Sequence, residues 1–343
     1  MSKDKKIVLS VDCMGGDNGL SVTLPAALNF LKKNENVSVI LVGNPELLEK
    51  ELNKYPFDPN FVSIVESSEV VLMDEQPVQA LRRKKKSSMR IAINLVKDQL
   101  ADGVVSAGNT GALMAISKFV LGTLDGIDRP AIASFLPNSK GAACMLDLGA
   151  NIDSTPENLY QFAIMGSCLY ANQFSKDKPS VGLLNIGSEK IKGNETLKLA
   201  VDYLSNSNLN FYGNVEGDDI FHGKTDVVVC DGFAGNVSLK TAEGVAFMIK
   251  DFLKKEFSSS IRGKIASMLI YPELIKFKRK IDPRVYNGAA LIGLNGVVFK
   301  SHGNTDILGF ESALDKAHKA IKNKLNDKIK ALVLTEVKNS NVQ

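Results

Sequence analysis

Short runs of valine, isoleucine and leucine alternate with longer helical stretches along most of this 343-residue chain. Several of these runs are continuously apolar, which is typical of strands that helices cover on both faces. The alternation of strand and helix favours an open, mostly parallel α/β sheet. The predicted strands span residues 6–12, 38–43, 62–65, 103–107, 131–136, 142–147, 181–185, 209–213, 226–230, 289–293 and 297–300. The clearest predicted helices span residues 21–33, 88–100, 110–121, 156–173 and 194–206.

One long stretch departs from this alternation. Residues from about 234 to 280 have a helical pattern with only polar interruptions and Pro272, which is too long for an ordinary crossover helix. A helical arm at about residues 250–282 is therefore expected to project from the body. No linker rich in proline, glycine or serine divides the sequence, so residues 1–343 are expected to form one α/β domain with a C-terminal tail at about 325–343.

Composition limits the possible partners and environments. The 42 lysines and arginines exceed the 38 acidic residues by only four, so overall charge does not indicate a nucleic-acid partner. No apolar run reaches the ~18 residues of a membrane span, and residues 1–6 do not resemble a secretory signal. Four cysteines without a CxxC pair and three histidines without ligand spacing predict reduced thiols, no metal site and a cytoplasmic protein.

The dipeptide Gly-Asn occurs six times, whereas composition predicts about two. Residues 104–113 and 228–239 share one design, in which a strand leads through a tight turn with Gly-Asn into a helix. Glycine permits the turn, and the asparagine, Asn109 or Asn236, is expected to cap the helix. The free N–H groups of such a helix start bind anions, most often phosphate. Each terminus alone is equally consistent with a well-capped helix that binds nothing.

The first predicted strand ends in a loop with the sequence Asp-Cys-Met-Gly-Gly-Asp at residues 12–17. A carboxylate such as Asp12 at the carboxyl end of a strand is well placed to contact a ligand in an open α/β sheet. The chain has no Walker loop and no GxSxG motif, and no cysteine has a reactive context. The sequence therefore indicates neither a nucleotide site nor a covalent serine or cysteine nucleophile.

The loop after the predicted strand at 181–185 concentrates polar side chains before the next helix. It contains Asn185, Lys190 and Lys192 and ends in the Gly-Asn pair at 193–194. A lysine beside the N–H groups of a helix start is a strong anion clamp. A solvated loop lysine is the alternative interpretation.

Positive charge is concentrated in two segments. Residues 82–86 are all basic, and residues 254–280 contain eight basic and two acidic side chains among many apolar ones. The rest of the chain is consequently mildly acidic. The second segment is either a packing or dimerisation arm or a surface that contacts anionic lipid, and the sequence supports both.

Ten short motifs follow one another between about residues 6 and 319. They are DCMGGD at 12–17, SAGNTGAL at 106–113, RPAI at 129–132, LDLGAN at 146–151, QFA at 161–163, LLNIG at 183–187, KGNE at 192–195, GNVE at 213–216, DGFAGN at 231–236 and SHG at 301–303. Each motif alone is weak evidence. The ordered set closely resembles the PlsX family of bacterial phosphate acyltransferases.

The resemblance implies a three-layer α/β/α fold with a mixed central sheet, similar to phosphotransacetylases and isopropylmalate dehydrogenases, in a homodimer. It also implies an acyltransferase that makes acyl phosphate from long-chain acyl-acyl-carrier-protein and inorganic phosphate, with no cofactor. The acyl phosphate would pass to a membrane glycerol-3-phosphate acyltransferase and feed phospholipid (phosphatidic acid) synthesis.

Two surfaces follow from the implied partners. An acidic acyl carrier protein would dock on Arg82, Arg83 and Lys85, unless these residues are simply a solvated helix start. The basic segment of residues 254–280 is the other candidate docking surface. Met268, Leu269 and Ile270 would make peripheral contact with an anionic membrane. The protein is then expected to be cytoplasmic and peripherally membrane-associated.

The resemblance and the motifs together suggest catalytic roles. Phosphate would attack the thioester directly, so that the protein positions the reactants and stabilises charge. Lys192 would hold the phosphate, and Asn236 with the amides after Gly235 would stabilise the oxyanion or the phosphate. The other expected substrate- and phosphate-binding residues are Asp12, Gly15, Gly16, Asp17, Asn109, Thr110, Gly111, Asn185, Asp231 and His302. Asp231 and His302 are candidates for orientation or proton transfer, although His302 could instead cap the following helix.

Two other functions stay open. A phosphotransacetylase that uses acetyl-CoA would share the fold and the anion sites. A non-catalytic scaffold that recruits the membrane acyltransferase would need neither Lys192 nor the Gly-Asn helix starts.

Overall fold

A single mixed sheet runs through the protein, in a computed structural model that describes residues 6–280 and 282–340. The first five residues, on which part of the interpretation of the amino terminus depends, lie outside this range. The described residues form eleven strands, at the positions that the apolar runs predicted. They are β1 (Ile7–Asp12), β2 (Val37–Gly43), β3 (Val62–Glu66), β4 (Gly103–Ser106), β5 (Ala131–Asn138), β6 (Gly141–Leu146), β7 (Ser180–Leu184), β8 (Asn210–Val215), β9 (Val227–Val229), β10 (Ala289–Ile292) and β11 (Val297–Lys300).

The sheet has two parallel halves that run in opposite directions. Its order is β3-β2-β1-β4-β11-β10-β5-β6-β9-β7-β8. The strands β1 to β4 and β11 are mutually parallel, as are β6 to β9. Between these halves, β10 is antiparallel to both β11 and β5, and β5 is antiparallel to β6. The carboxyl ends of the two halves therefore lie at opposite edges of the sheet. Motifs that follow β1, β4 and β11 are separated from those that follow β6, β7 and β9.

Helices cover both faces, which confirms the predicted α/β/α layers. The described helices are α1 (Leu20–Lys33), α2 (Pro45–Leu52), α3 (Pro77–Arg83), α4 (Ser88–Lys97), α5 (Thr110–Leu121), α6 (Pro156–Phe174), α7 (Glu195–Ser205), α8 (Asp219–His222), α9 (Gly232–Ser259), α10 (Ile261–Leu269), α11 (Tyr271–Lys280), α12 (Pro283–Tyr286), α13 (Ile307–Lys322) and α14 (Leu325–Ser340). Phe30, Phe162 and Phe310 bring α1, α6 and α13 into the core of one face. Ile93 and Ile116 bring α4 and α5 into the core of the other.

The helical arm consists of α9, α10 and α11. Only the first turns of α9 pack on the sheet, through Ala234 and Leu239, and nearly all described side chains from residue 240 to 273 are exposed. The chain bends sharply between α9 and α10, since a Cβ on Gly263 would lie 2.9 Å from the Glu256 carbonyl oxygen. No helix in the described residues is both long enough and apolar enough to cross a bilayer.

The C-terminal segment predicted as a tail contains a helix. Residues 325–340 form α14. Leu325, Ile329 and Val333 are buried in the same core as α6. The buried Glu336 carboxylate accepts a hydrogen bond of 2.8 Å from the Tyr160 hydroxyl. Residues 341–343 lie outside the described range.

Candidate active site

Three polar side chains form a row across the carboxyl ends of β1, β4 and β11. Asp12 is in register with Ser106, and Ser106 with Lys300. Because partners in register project to the same face of a sheet, the three side chains lie together on the α4–α5 face. The Ser106 hydroxyl donates a hydrogen bond of 2.6 Å to Asp12 Oδ2, and all three residues are buried. We call this set the Asp12–Ser106–Lys300 row.

The glycine loop of residues 15–17 passes directly over this row. A Cβ on Gly15 would lie 2.5 Å from Asp12 Oδ2 and 2.8 Å from the Gly108 nitrogen, so only glycine fits there. Gly16 has a φ of +88°, a conformation that favours glycine. The Asp17 N–H donates to the Gly303 carbonyl at 2.9 Å, which ties this loop to the one after β11.

His302 lies in the loop after β11 and is exposed. Its N–H donates to the Asn287 side-chain oxygen at 2.9 Å, and its carbonyl accepts from the Thr305 N–H. The helix that follows is capped by Asp306, whose carboxylate accepts from the Gly309 N–H at 3.0 Å. His302 is therefore not a helix cap, and its ring is open to solvent beside the row.

The amino terminus of α5 opens beside the same row. Asn109 is the N-cap, as predicted, and its side-chain oxygen accepts from the Ala112 N–H at 2.9 Å. Its amide nitrogen donates to the carbonyls of Met73 and Glu75 at 2.7 and 3.0 Å. Thr110 and Gly111 occupy the first helical positions, whose N–H groups have no intrahelical acceptor. The segment of residues 72–77 thus lies against an anion-ready helix start.

Burial perturbs both ionisable groups of the row. It raises the pKa of the Asp12 carboxyl, against the opposing effect of hydrogen bonds from Ser106, Ser88 and backbone N–H groups. Asp12 Oδ1 is buried without a hydrogen-bond partner. Burial also lowers the pKa of the Lys300 ammonium to about 8, although the nearby carboxylates of Asp12 and Asp17 act in the other direction. Such perturbed, buried groups are typical of functional sites.

A second group of polar residues surrounds the start of α9 at the opposite edge of the sheet. Asp147, after β6, is buried, and its carboxylate accepts from the N–H groups of Ile132, Ala150 and Asn151 at 2.9, 3.0 and 2.7 Å. Burial raises the pKa of Asp147, and these donors oppose the shift. The carboxylate thereby shapes the loop of residues 147–151, against which α9 packs.

The cap of α9 differs from the prediction. Asp231 is the N-cap, and its carboxylate accepts from the Ala234 N–H at 2.7 Å. Asn236 lies in the second helical turn, so the expectation that it caps the helix is wrong. Its exposed side chain donates to the Leu148 carbonyl at 3.3 Å. The reason is that α9 begins at Gly232, five residues earlier than the Gly-Asn pattern suggests.

The loop between β7 and α7 completes this second group. Asn185 is buried, and its side chain donates to the Lys192 carbonyl at 3.1 Å and accepts from the Ile186 N–H at 2.8 Å. Asn194 caps α7 by accepting from the Leu197 N–H at 2.9 Å. The Lys192 side chain is exposed, so its ammonium extends from a loop whose backbone Asn185 holds in place.

The structure thus places the predicted site residues in two clusters. The amino-terminal cluster contains Asp12, Gly15, Gly16, Asp17, Asn109, Thr110, Gly111 and His302. The carboxyl-terminal cluster contains Asn185, Lys192, Asp231 and Asn236. Within the described residues no hydrogen bond or ion pair joins the two, but Met114 of α5 packs against apolar residues of both halves on the α4–α5 face.

Three functional candidates were missed by sequence reasoning, namely Ser106, Asp147 and Lys300. Lys300 ends an apolar strand, Val-Val-Phe-Lys, and a charged residue at the end of a buried strand was the available signal. Asp147 and Ser106 lie inside motifs that the sequence had already singled out. Their roles depend on strand register and on backbone donors, which a motif does not reveal.

The four cysteines lie among the described residues and all are buried. Burial raises the pKa of every thiol, that of Cys144 to about 12, so none is a thiolate at neutral pH. Cys230 comes nearest to the carboxyl-terminal cluster, with its sulfur 3.4 Å from the Asp147 carbonyl oxygen. These thiols are inert as nucleophiles in this fold.

Among the described residues, one group of acidic and histidine side chains brings possible metal ligands within 4.8 Å of one another. It consists of Asp218, Asp219 and His222 on the short helix α8. The Asp219 carboxylate already accepts from Lys224 Nζ and from the Glu216 N–H, both at 3.0 Å. We assign no metal to this group.

The predicted contact surfaces are both exposed. Arg82, Arg83 and Lys85 lie at the end of α3, which packs on α5, and Pro77 at the start of α3 is close to Gly111. The basic surface therefore adjoins the amino-terminal cluster.

On the arm, Met268 and Leu269 are 78% and 76% exposed at the junction of α10 and α11, which is unusual for large apolar side chains.

Solved structures of low sequence identity share the fold. A phosphotransacetylase (EutD) from Staphylococcus aureus aligns over 93% of this chain and 94% of its own, with a TM-score of 0.60 and 17% identity. A phosphotransacetylase from Streptococcus pyogenes aligns over 92% and 94%, with a TM-score of 0.60 and 20% identity. The predicted likeness to phosphotransacetylases is therefore confirmed at the level of the fold.

Sequence relatives cover nearly the whole chain. A phosphate acyltransferase of Chromobacterium violaceum is 56% identical over 312 residues, which are 91% of this chain and 90% of the relative. Another, of Polynucleobacter asymbioticus, is 52% identical over 332 residues, 96% and 98% of the two chains. The family model described as "Fatty acid synthesis protein" matches residues 7–328. The chain therefore belongs to this family, that of the PlsX-type phosphate acyltransferases, which are acyltransferase enzymes.

Proposed function

We propose that this protein makes acyl phosphate from long-chain acyl-acyl-carrier-protein and inorganic phosphate. The observation that carries the proposal is the presence of anion-ready helix starts in both site clusters of a member of the phosphate acyltransferase family. The helices α5, α7 and α9 each follow the carboxyl end of a strand and are capped by Asn109, Asn194 and Asp231. Such termini bind phosphate groups through backbone N–H donors.

The reaction needs no protein nucleophile, because phosphate is already an oxyanion at neutral pH. A phosphate oxygen attacks the thioester carbonyl carbon, and the carbonyl oxygen becomes an oxyanion. The carbon–sulfur bond then breaks, and the leaving sulfur takes the proton of the hydrogen phosphate, giving a free thiol and an acyl phosphate. The protein contributes position and charge stabilisation. The inert cysteine thiols are consistent with this route.

Within this scheme the carboxyl-terminal cluster stabilises the reacting groups. Lys192 holds the phosphate and offsets the charge between two anionic reactants. Asn236 and the amides that follow Gly235 stabilise the tetrahedral oxyanion or the phosphate, while Asp231 and Asn185 fix the backbone around them. The amino-terminal cluster supplies a second phosphate-contacting terminus through Asn109, Thr110 and Gly111, with Asp12, Gly15, Gly16, Asp17 and His302 lining it.

Docking of the acidic carrier protein is proposed on the exposed end of α3. Changing Arg82 and Arg83 together to glutamate is expected to raise the KM for acyl-acyl-carrier-protein about tenfold and to leave kcat within twofold, because surface charges mainly govern association. The matched control reverses Lys32 and Lys50, two exposed lysines on α1 and α2. Steady-state kinetics at low salt measure both. An unchanged KM in the α3 variant would remove this docking surface.

Peripheral membrane contact is proposed through Met268, Leu269 and Ile270, at the junction of α10 and α11 in the arm. In flotation with phosphatidylglycerol vesicles, Leu269→Glu is expected to reduce the bound fraction about tenfold, because a carboxylate would have to enter the acyl boundary. Leu334→Glu, at an exposed position of α14, is the matched control and should float like the wild type. Undiminished flotation of Leu269→Glu would remove the arm as the contact.

The remaining partners follow from the same proposal. The protein is proposed to act as a cytoplasmic, peripherally membrane-associated homodimer, and a membrane glycerol-3-phosphate acyltransferase would consume its product in phosphatidic acid synthesis. The exposed apolar residues along α9, such as Phe247 and Phe252, are compatible with a dimer contact.

The reaction is tested by incubating the protein with acyl-acyl-carrier-protein and phosphate in the presence of hydroxylamine. Phosphate-dependent release of thiol together with acyl hydroxamate supports the proposed activity. Preferential turnover of acetyl-CoA would instead indicate a phosphotransacetylase. If neither acyl-acyl-carrier-protein nor acetyl-CoA gives phosphate-dependent thiol release, the non-catalytic scaffold would be favoured.

A further inference from the structure

Lys300 occupies an unusual place for a lysine. The residue is 7% exposed and ends β11, in the middle of the sheet, next to β4 and one strand away from β1. Burying an ammonium costs free energy unless it is paired and hydrogen-bonded. Its surroundings supply hydrogen bonds, since its Nζ donates to the Ala107 carbonyl at 3.0 Å and to the Ser301 carbonyl.

Each of these carbonyls belongs to a loop that borders the amino-terminal cluster. Ala107 directly precedes Gly108 and the α5 cap, and Ser301 directly precedes His302 and Gly303. The glycine loop after β1 is tied to Gly303 by the Asp17 N–H. One ammonium therefore connects the loops that follow β4 and β11, and through the latter the loop that follows β1.

The charges around Lys300 come from two neighbouring elements. Asp12 on β1 lies in the same row, and Asp17 lies in the glycine loop. His302, two residues further along, is the other titratable group of the adjoining loop. Asp12 presents one buried oxygen without a hydrogen-bond partner, so the row contains an unsatisfied buried acceptor next to a buried cation.

We infer that Lys300 is a positioning residue for a phosphate group bound at the amino terminus of α5. Its ammonium holds the surrounding loops in their binding geometry and balances the charge of the Asp12–Ser106–Lys300 row below the anion. The inference rests on the proposed function and deepens it. The phosphate group is either inorganic phosphate or the phosphodiester of the carrier protein's prosthetic arm, because the chemistry of recognition is the same.

The charge on Lys300 depends on pH, so the proposed role can be tested by measuring KM as a function of pH. Its ammonium, with a pKa near 8, loses its proton as the pH rises from 8 to 10. Inorganic phosphate is mainly the dianion above pH 8, so a change in KM between pH 8 and 10 reports on the protein. If the bound anion raises the pKa of the Lys300 ammonium by about one unit, the KM of the substrate that carries this anion should rise about tenfold toward pH 10.

The experiment compares Lys300→Gln and Lys300→Arg with the wild type at pH 7 to 10, with separate KM values for phosphate and for acyl-acyl-carrier-protein. Lys300→Gln is expected to raise one of these KM values about tenfold at pH 7, with kcat changed less than threefold, and to flatten its pH profile. Lys300→Arg should restore the low KM and keep it up to pH 10. The substrate whose KM changes identifies the bound phosphate group.

A second lysine with a perturbed pKa and no proposed role is the matched control. Lys316 on α13 is half-buried, donates to the Tyr286 and Asn287 carbonyls, and has a pKa lowered by desolvation to about 7. Lys316→Gln is expected to leave both KM values within twofold. Unchanged KM values in Lys300→Gln, or an equal change in Lys316→Gln, would overturn the inference. If Lys300→Arg does not fold, a flat wild-type profile from pH 8 to 10 would overturn it equally, whereas a wild type without phosphate-dependent turnover would refute the proposed function instead.

Discussion

Replacing Lys192 by alanine is expected to lower kcat about 100-fold, the scale on which one oxyanion-stabilising donor contributes. The side chain extends from a loop that Asn185 holds through the Lys192 carbonyl, so truncation removes the ammonium and leaves that backbone contact in place. Acyl hydroxamate formation at saturating phosphate and acyl-acyl-carrier-protein measures kcat. The folded state is checked by thermal unfolding.

The matched control for this change is Lys190→Ala. Lys190 is an exposed lysine of the same loop, so its removal alters the net charge equally without touching the proposed phosphate contact. It is expected to keep kcat within threefold. A folded Lys192→Ala protein with a near-wild-type rate would exclude Lys192 from the reaction, and retained function of Asn236→Ala as well would favour the scaffold.

Replacing Gly235 by alanine is expected to destabilise the fold by about 3 kcal/mol, at the upper end of the range for overpacked positions. A Cβ at this position would overlap the Asp147 carbonyl oxygen and lie 2.9 Å from the Cys230 sulfur. The Asp147 carbonyl cannot move aside easily, because backbone N–H groups of three residues hold the carboxylate of the same residue in place. Urea unfolding measures the change in free energy.

Gly244→Ala, in the same helix, is the control for this prediction. No atom lies within 4 Å of a Cβ built on Gly244, so alanine meets no obstacle there. This change is expected to leave the free energy of unfolding unaltered or to raise it by up to about 1 kcal/mol, since alanine favours helix over glycine. Equal stability of the two variants would show that the close approach of α9 to residue 147 does not constrain the fold.

The strands could be predicted from the sequence because their apolar runs are continuous and short. Burial on both faces imposes that pattern on each strand locally, as in Val227–Val229. The helix start at Thr110 was equally local, since Asn109 caps it through a bond to a residue three positions away. The start of α9 was misplaced because Asp231 competes with Asn236 for the cap, and both occur in one short motif.

The geometry of the site could not be predicted in the same way. The strand β11 lies beside β4, nearly two hundred residues away in sequence, and this pairing alone places Lys300 level with Ser106. The two halves run in opposite directions because three successive strand pairs, β11–β10, β10–β5 and β5–β6, are antiparallel, and this reversal separates motifs that looked equivalent in the sequence. Both features are consequences of strand order, which is a property of long-range packing and not of any local pattern.

The central claim is that bound phosphate itself attacks the thioester. It is tested most directly by mixing excess protein with acyl-acyl-carrier-protein in phosphate-free buffer, then measuring free thiol and the intact mass of the protein before and after adding phosphate. We expect no thiol release and no change in protein mass until phosphate is added, followed by thiol and acyl phosphate in equal amounts. Stoichiometric thiol release without phosphate, with the acyl group found on the protein, would contradict it.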